Sequence, residues 1–495
     1  MRRQSGIAVP LFSLASHHGW GIGEFLDLRE FAHWMQQAGQ SVIQILPIQE
    51  MPPLESSPYS AMTAMALDPI YLSISGVPDF EGLGGVTALD GAERSEIDRL
   101  RALPRIEYAS VRRLKDKWLR RSFDRFLKLE VSRGSTRALR FDQFCSTQAW
   151  WLDEYVLFRA LHAHHDESEW TKWPQPLARA DAEAIHTIRP ALQLEMTYRS
   201  YLQWLAAEQW AEARRLAWPV RVYGDLPFMI SANSPDVWAR QEEFRFDATI
   251  GVPPDAFSEN GQDWGLPPWR STKMRESGFR WMRNRARRYA ALFDGYRIDH
   301  LVGLYRMYVR PIDKAIAPFF DPPDEPAQVH LGQTLVQVLR GLDEKTEVFA
   351  EDLGSIPPFV RESMTRLQLP GLKVLRWERH WDRDGRPPID PATFPPRSVA
   401  TTGTHDIEPL AATPEGQSDE QRVAILRSLL AAGSALTLIP VQDVFGWTDR
   451  INTPAVVDDV NWTWKLPWPV DTWLQEEASL EWADVLQEWT RRNHR

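Results

Sequence analysis

Four acidic residues stand where short apolar runs of the chain end. They are Asp225, Asp299, Glu351 and Asp406. A single carboxylate at such a position usually caps a helix or lies in solvent, whereas four would meet if their runs were strands of one barrel. Because like charges brought together cost free energy, a fold tolerates such a cluster mainly where chemistry uses it. The pattern therefore indicates one pocket that holds several carboxylates.

Glycoside chemistry has a physical use for such a pocket. A carboxylic acid must protonate the glycosidic oxygen, and a carboxylate must face the oxocarbenium-like carbon. Arg297 lies two residues before Asp299, so that in a strand both side chains point to the same face. A guanidinium at this place keeps a nucleophilic carboxylate ionised. The arrangement therefore suits glycoside chemistry.

Eight short apolar runs must position these groups. They cover residues 41–47, 67–74, 221–227, 295–300, 347–352, 371–377, 398–406 and 435–440. Strands that alternate with helices pair in parallel, and eight is the strand number of a (β/α)8 barrel, whose active site lies at the C-terminal ends of the strands. The sequence predicts an α/β fold, with one catalytic (β/α)8 TIM barrel over residues 1–495.

Helical patterns lie between the predicted strands. They cover residues 24–38, 278–293, 327–342 and 418–432, and Gly39 is a suitable residue to end the first of them. Residues 76–215 break the alternation, and we interpret them as a mostly helical insertion between the second and third predicted strands. Residues 251–275 are expected to form a loop over the C-terminal face of the barrel, at the active site.

Composition limits the class of partner. The net charge of −10 gives no electrostatic footprint for nucleic acid or anionic lipid, and no apolar run approaches the roughly 20 residues that span a bilayer. Cys145 is the single cysteine, which suits a reducing compartment, and the first residues do not form a convincing signal peptide. We expect a cytoplasmic protein without a nucleic-acid or membrane partner.

The chain contains 23 Trp residues, which could be core residues or platforms for sugar rings.

Three short motifs resemble the catalytic motifs of the amylomaltases, also called disproportionating enzymes or 4-α-glucanotransferases, which are relatives of the α-amylases. They are Arg297-Ile298-Asp299-His300, Ala350-Glu351-Asp352-Leu353-Gly354 and Gly403-Thr404-His405-Asp406. The resemblance continues over most of the chain and is loose only in residues 76–215. Further matching segments are residues 19–23, 57–59, 224–227, 251–258, 261–265, 450–454 and 461–464, of which 251–258 and 261–265 are the most diagnostic.

The resemblance implies a retaining transfer of an α-1,4-glucan segment to the 4-hydroxyl group of glucose or a malto-oligosaccharide, without cofactor or metal. It implies that Asp299 is the nucleophile, Glu351 the general acid/base and Asp406 the stabiliser of the transition state. The implied substrate-binding residues are Tyr59, Asp225, Asp255, Glu259, Trp264, Arg297, His300, His405 and Asn461.

The chain departs from the family pattern close to two of the catalytic residues. Leu301-Val302 and Ile407-Glu408 replace the usual continuations, and Thr63 and Asp68 stand where Ser and Asn are usual. Two alternatives stay open: a hydrolase that uses the same carboxylates with water as the acceptor, and a catalytically silent glucan-binding protein. A metal-dependent enzyme fits worst, because the sequence has neither the oxygen-rich spacing of a calcium loop nor a His pair at helix spacing that is tied to a carboxylate. The sequence does not indicate an oligomeric state.

Overall fold

The computed structural model describes residues 3–53, 55–254, 261–341, 345–454, 456 and 458–495. The strands are β1 Gln4–Ala8, β2 Val42–Gln44, β3 Arg221–Leu226, β4 Ala248–Val252, β5 Gln262–Asp263, β6 Gly295–Ile298, β7 Met307–Pro311, β8 Phe319–Asp321, β9 Glu347–Ala350, β10 Gly371–Val374, β11 Ser398–Thr401 and β12 Leu436–Pro440. The helices are α1 Leu28–Gln37, α2 Pro78–Gly82, α3 Gly91–Ala102, α4 Tyr108–Leu129, α5 Thr136–His164, α6 Gln175–Ala178, α7 Ala182–Ala217, α8 Pro235–Trp238, α9 Ser271–Glu276, α10 Arg280–Leu292, α11 Val302–Tyr305, α12 Glu325–Arg340, α13 Pro358–Leu367, α14 Asp419–Ala431, α15 Val441–Phe445 and α16 Glu477–Arg492. Among the described residues, no helix combines the length and apolarity that a membrane span requires.

Eight of the strands close into a parallel barrel. Their order around it is β1-β12-β11-β10-β9-β6-β3-β2, and β1 closes the ring by pairing with both β12 and β2. Apolar side chains from six of these strands fill the interior, as the barrel requires. These side chains are Val42, Tyr223, Phe349, Leu372, Val399, Leu436 and Leu438. The predicted (β/α)8 barrel is confirmed.

One predicted strand is wrong, and another was missed. Residues 67–74 contain a 3-10 turn, Pro69–Tyr71, because the Asp68 carboxylate accepts a hydrogen bond from the Ile70 N–H and caps the turn. The first barrel strand is instead β1, whose sequence is too short and too polar to stand out. Position 6 of β1 is occupied by glycine because a Cβ there would lie 2.1 Å from the Val42 carbonyl oxygen.

The four predicted barrel helices are confirmed as α1, α10, α12 and α14. A 3-10 turn, Phe25–Asp27, precedes α1, and Gly39 follows it with a φ of +67°, the left-handed conformation expected of a residue that ends a helix. Helix α12 begins at Glu325, two residues before its predicted start, because Asp324 caps it. Its predicted end, residue 342, lies outside the described residues.

The segment between β2 and β3 carries helices α2 to α7. Two of these helices hold the chain that follows β2. Arg112 of α4 donates to both oxygens of Asp68, at 2.9 and 2.8 Å, and Tyr155 of α5 donates to Glu50 at 2.6 Å. Residues 50–68 are therefore fastened at both ends. The boundaries 76–215 of a separate insertion stay a prediction.

A small antiparallel sheet, β5-β4-β7-β8, is built from the chain that follows two barrel strands. Strands β4 and β5 come after β3, and β7 and β8 come after β6. Connections that follow barrel strands lie on the active-site face. The β4–β5 hairpin belongs to the predicted loop of residues 251–275, of which 255–260 lie outside the described residues.

Most Trp side chains are buried core residues, among them Trp34, Trp281 and Trp473. Most of the Trp residues therefore contribute to the packing of the core.

Candidate active site

The residues predicted to do chemistry meet at the C-terminal ends of the barrel strands. Asp225 of β3 is in register with Arg297 of β6, and Arg297 is in register with Phe349 of β9. Asp299 comes directly after β6, and Glu351 comes directly after β9. Parallel pairing in this register brings the three carboxylates to one level of the barrel.

One guanidinium joins the three carboxylates. Arg297 donates through Nε to both oxygens of Asp225 at 2.9 Å. It donates through Nη2 to Asp299 at 2.8 Å and through Nη1 to Glu351 at 3.1 Å. Nη2 also lies 2.9 Å from the hydroxyl of Tyr59. The Arg297 side chain is only 5% exposed, so these contacts act with little screening by water.

Asp299 and Glu351 are both buried, and the pKa of each depends on the other carboxyl. Burial raises the pKa of Asp299 well above its usual range, and the charges of Glu351 and Asp225 add to this although Arg297 opposes it. Burial alone would raise the pKa of Glu351 too, but Arg297 and the N–H of His300 outweigh burial and lower it. The pKa values of the two carboxyls are therefore shifted in opposite directions. At Asp299, burial and the neighbouring carboxylates outweigh Arg297, which the sequence had predicted to keep this carboxylate ionised.

Asp406 faces this pair from the loop after β11. Burial would raise its pKa, but His405, a hydrogen bond from Asn452 and the charge of Arg297 together lower it to about 2. The Nε2 of His405 lies 3.2 Å from Asp406 Oδ2, and Asn452 Nδ2 donates to Oδ1 at 2.6 Å. With its side chain 41% exposed, Asp406 is an ionised carboxylate that a substrate can reach.

Tyr59 closes one side of the site. Its hydroxyl donates to Asp225 at 2.6 Å, and its ring stacks on His405 with centroids 5.0 Å apart. Trp462 packs against the same ring at 5.5 Å. Burial raises the pKa of Tyr59 well above its usual range, so that the hydroxyl remains a donor.

His300 and Trp264 pack together beside Glu351. The backbone N–H of His300 donates to Glu351 at 3.1 Å, and its φ of +47° is a strained conformation for a residue with a side chain. Trp264 packs edge-on against the His300 ring at 4.8 Å. Burial lowers the pKa of His300 to about 4 against the opposing effect of Glu351, so its imidazole is neutral near pH 7.

Asn461, another predicted binding residue, forms its hydrogen bonds within its own loop. The Asn461 carboxamide accepts from the Thr453 N–H at 2.9 Å and donates to the carbonyls of Thr453 and Val456 at 3.2 and 2.8 Å. These bonds hold its own loop and use both of its polar atoms. Asp255 and Glu259 lie outside the described residues.

Asn452 and Arg450 are site residues that the sequence reasoning missed. Asn452 contacts the Asp406 carboxylate directly. Arg450 pairs with Glu408 at 2.5 Å and donates to the Asp406 carbonyl, which fixes the backbone of that loop. A signal was present, because both residues belong to the segment 450–454 that resembles the family. Sequence spacing alone could not show that this segment reaches the β11 loop.

No group of three or more His, Cys, Asp or Glu side chains in the described part of the chain could hold a metal ion. The cation at the centre of the carboxylates is Arg297.

The arrangement suits substitution at the anomeric carbon of a sugar. A carboxyl pair can supply an acid and a nucleophile, and Asp406 adds a third carboxylate. Four carboxylates around one guanidinium leave the pocket net negative, which favours a transition state with positive charge on carbon.

Comparison with known proteins gives an independent result. A family described as 4-alpha-glucanotransferase matches residues 9–471 of the chain. The 4-alpha-glucanotransferase of Chlamydia caviae is 30% identical over 96% of this chain and 92% of its own length. That of Thermus thermophilus is 30% identical over 94% of this chain and 95% of its own length.

A solved structure shares the fold. The amylomaltase from Streptococcus agalactiae, in complex with acarbose, superposes with a TM-score of 0.83 and 24% identity, and the match covers all of both chains. This agreement extends over the barrel and over the helices between β2 and β3.

Proposed function

Because the chain belongs to the 4-alpha-glucanotransferase family, we propose that Asp299, Glu351 and Asp406 carry out its glucan transfer in the roles of nucleophile, general acid/base and stabiliser. The protein is a 4-alpha-glucanotransferase of the amylomaltase type. The observation that carries the assignment of roles is the contact of one buried guanidinium, Arg297, with both Asp299 and Glu351.

In the first step, protonated Glu351 donates its proton to the glycosidic oxygen while an oxygen of Asp299 attacks the anomeric carbon. The glycosidic bond breaks, the reducing-end fragment leaves, and a covalent glycosyl-enzyme forms. In the second step, Glu351 takes the proton of an acceptor 4-hydroxyl group, whose oxygen displaces Asp299. One α-1,4 bond is broken and one is made, and two inversions retain the α configuration.

The first step requires a protonated Glu351 and an ionised Asp299, and the bound substrate favours both states. A bound glycosidic oxygen gives protonated Glu351 a hydrogen-bond acceptor, and the partial positive charge on the anomeric carbon favours ionised Asp299. Arg297 holds the two carboxyls together through its contacts with both.

Asp406 and His300 act on the sugar without forming a bond to it. Asp406, whose pKa is lowered to about 2, supplies an ionised carboxylate that would stabilise the oxocarbenium-like transition state. Neutral His300 offers ring nitrogens to sugar hydroxyls without adding positive charge beside the reacting carbon. Asp225, Arg297 and His405 complete the donor side, and Tyr59 and Trp264 supply the aromatic walls.

The substrate is an α-1,4-glucan, and we propose glucose and malto-oligosaccharides as acceptors. Support for the glucan comes from the streptococcal amylomaltase, whose structure was solved with acarbose. Aromatic rings beside the carboxylates also match the flat faces of sugar rings.

An activated donor separates the two catalytic roles. α-Glucosyl fluoride does not need a protonated leaving group, so Glu351→Gln should still release fluoride at a measurable rate, whereas Asp299→Ala should release essentially none. Fluoride release by each purified variant, with folding checked by circular dichroism, is the measurement. Equal rescue of both variants would overturn the assignment.

A further inference from the structure

Gln442 carries a buried hydrogen-bond acceptor that the protein leaves unused. It lies on α15, the short helix after β12, and is 3% exposed. Its Nε2 donates to the Asp449 carbonyl at 3.4 Å, whereas its Oε1 has no hydrogen-bond partner among the described residues. Folding buries such an acceptor at a cost, so a partner for it is expected from outside the chain.

The side chain lines a cavity that adjoins the catalytic cluster. This cavity has a volume of about 50 Å³, and Arg297 and His405 form part of its wall. Leu46 and Leu438 supply an apolar part. A smaller cavity, also lined by Gln442 and His405, lies next to it. A cavity of about 50 Å³ holds a few water-sized groups, so that a hydroxyl or hydroxymethyl group of a sugar fits it, whereas a whole sugar ring does not.

The position of Gln442 is fixed by its neighbours. Asp443 accepts from the Leu410 N–H at 2.6 Å and from the Thr402 hydroxyl at 2.5 Å, which ties α15 to the loop that carries Asp406. The Gln442 carbonyl accepts from the Trp447 N–H at 3.0 Å. Because the backbone is held at both points, Oε1 is an acceptor in a set place rather than a mobile surface group.

We propose that Gln442 is a substrate-binding residue whose Oε1 accepts a hydrogen bond from a hydroxyl of the glucose unit bound on the donor side. The inference rests on the proposed function, since Arg297 and His405 are placed on that side by it. The carboxamide nitrogen of Gln442 already donates to the Asp449 carbonyl. Only Oε1 is left for the ligand, so the ligand must provide the hydrogen-bond donor.

Monodeoxy donors test the proposal. Fluoride release from α-glucosyl fluoride and from its 2-, 3-, 4- and 6-deoxy analogues is compared between the wild-type enzyme and Gln442→Leu. Gln442→Leu should lower kcat/KM for the parent donor by about tenfold or more. For one of the analogues, the one that lacks the bound hydroxyl, the two enzymes should differ much less, because the hydrogen bond is already missing.

Two variants control for structure. Gln442→Glu keeps an acceptor oxygen. Its ratio of kcat/KM for the parent donor to kcat/KM for the same deoxy analogue should therefore stay close to the wild-type ratio. Gln328→Leu removes another buried glutamine, which bonds the Pro322 carbonyl at 2.8 Å on α12, and should show wild-type ratios for every donor. An equal loss for all donors in Gln442→Leu, or no loss at all, overturns the proposal and leaves Gln442 with an ordered water as its partner.

Fluoride release reports the formation of the glycosyl-enzyme and does not depend on the acceptor. A protein that releases fluoride but passes the sugar to water would contradict the transfer reaction, while the dependence on Gln442 would stand. Failure of the two proposals can therefore be distinguished.

Discussion

At the residue scale, Arg297 is the side chain that holds the other groups of the candidate site together. It contacts three carboxylates and the hydroxyl of Tyr59. Its position was predictable, because strand spacing places it on the same face as Asp299. The sequence did not predict which of two asparagines, Asn452 or Asn461, contacts Asp406. Asn461 came from motif resemblance, yet it holds its own loop, whereas Asn452 reaches Asp406 from a segment 46 residues further along the chain.

Asn452 should act by orienting Asp406. Asn452→Ala removes a 2.6 Å hydrogen bond to that carboxylate, and a carboxylate displaced from the reacting carbon can lose up to about 100-fold in rate. We expect kcat for maltotriose to fall more than KM changes, with the thermal midpoint nearly unchanged. Steady-state kinetics and a thermal melt measure both quantities.

Asn461→Ala is the matched control. It should lower the thermal midpoint, because three hydrogen bonds of the 453–461 loop are lost, and it should keep kcat per folded molecule. A large loss of kcat in Asn461→Ala, with a wild-type kcat in Asn452→Ala, would restore the motif-based choice and contradict the geometry.

At the scale of elements, the barrel strands were more predictable than the segments that cover the site. Seven of the eight barrel strands coincide with predicted apolar runs. The exception, β1, is recognised only through its partners, since a glycine and polar residues make up most of it. The segment with Tyr59 depends on Arg112 and Tyr155 of distant helices, and no local pattern encodes such contacts.

The β4–β5 hairpin should govern the choice between acceptor sugar and water. Trp264 lies beside β5, and its ring packs against His300. Trp264→Ala removes this wall, so we expect weaker acceptor binding and a larger share of hydrolysis, because water then competes for the glycosyl-enzyme. The ratio of glucose released by hydrolysis to glucose transferred, followed with labelled glucose as the acceptor, measures the effect.

Trp264→Phe keeps an aromatic ring at the same position and should stay close to the wild-type ratio. If Trp264→Ala also keeps the wild-type ratio at every acceptor concentration, the hairpin does not contribute to acceptor binding, and the proposed role of Trp264 is wrong.

At the scale of the whole molecule, the barrel brings distant segments of the chain to one guanidinium. Asp225 and Asp406 are far apart in sequence but both lie at the active-site face. This convergence is why the carboxylates at strand ends predicted the candidate active site from the sequence. The opposite pKa shifts of Asp299 and Glu351 followed only from burial, from the neighbouring charges and from the hydrogen bonds around the two carboxyls.

Incubation with maltotriose tests the central claim, that the protein transfers glucan segments, most directly. Each transfer breaks one α-1,4 bond and makes another, so that the number of bonds is conserved. We expect glucose and a ladder of oligosaccharides longer than maltotriose, with an almost constant total of reducing ends. A steady rise in reducing ends, with no product longer than maltotriose, would contradict the account and make the protein a hydrolase.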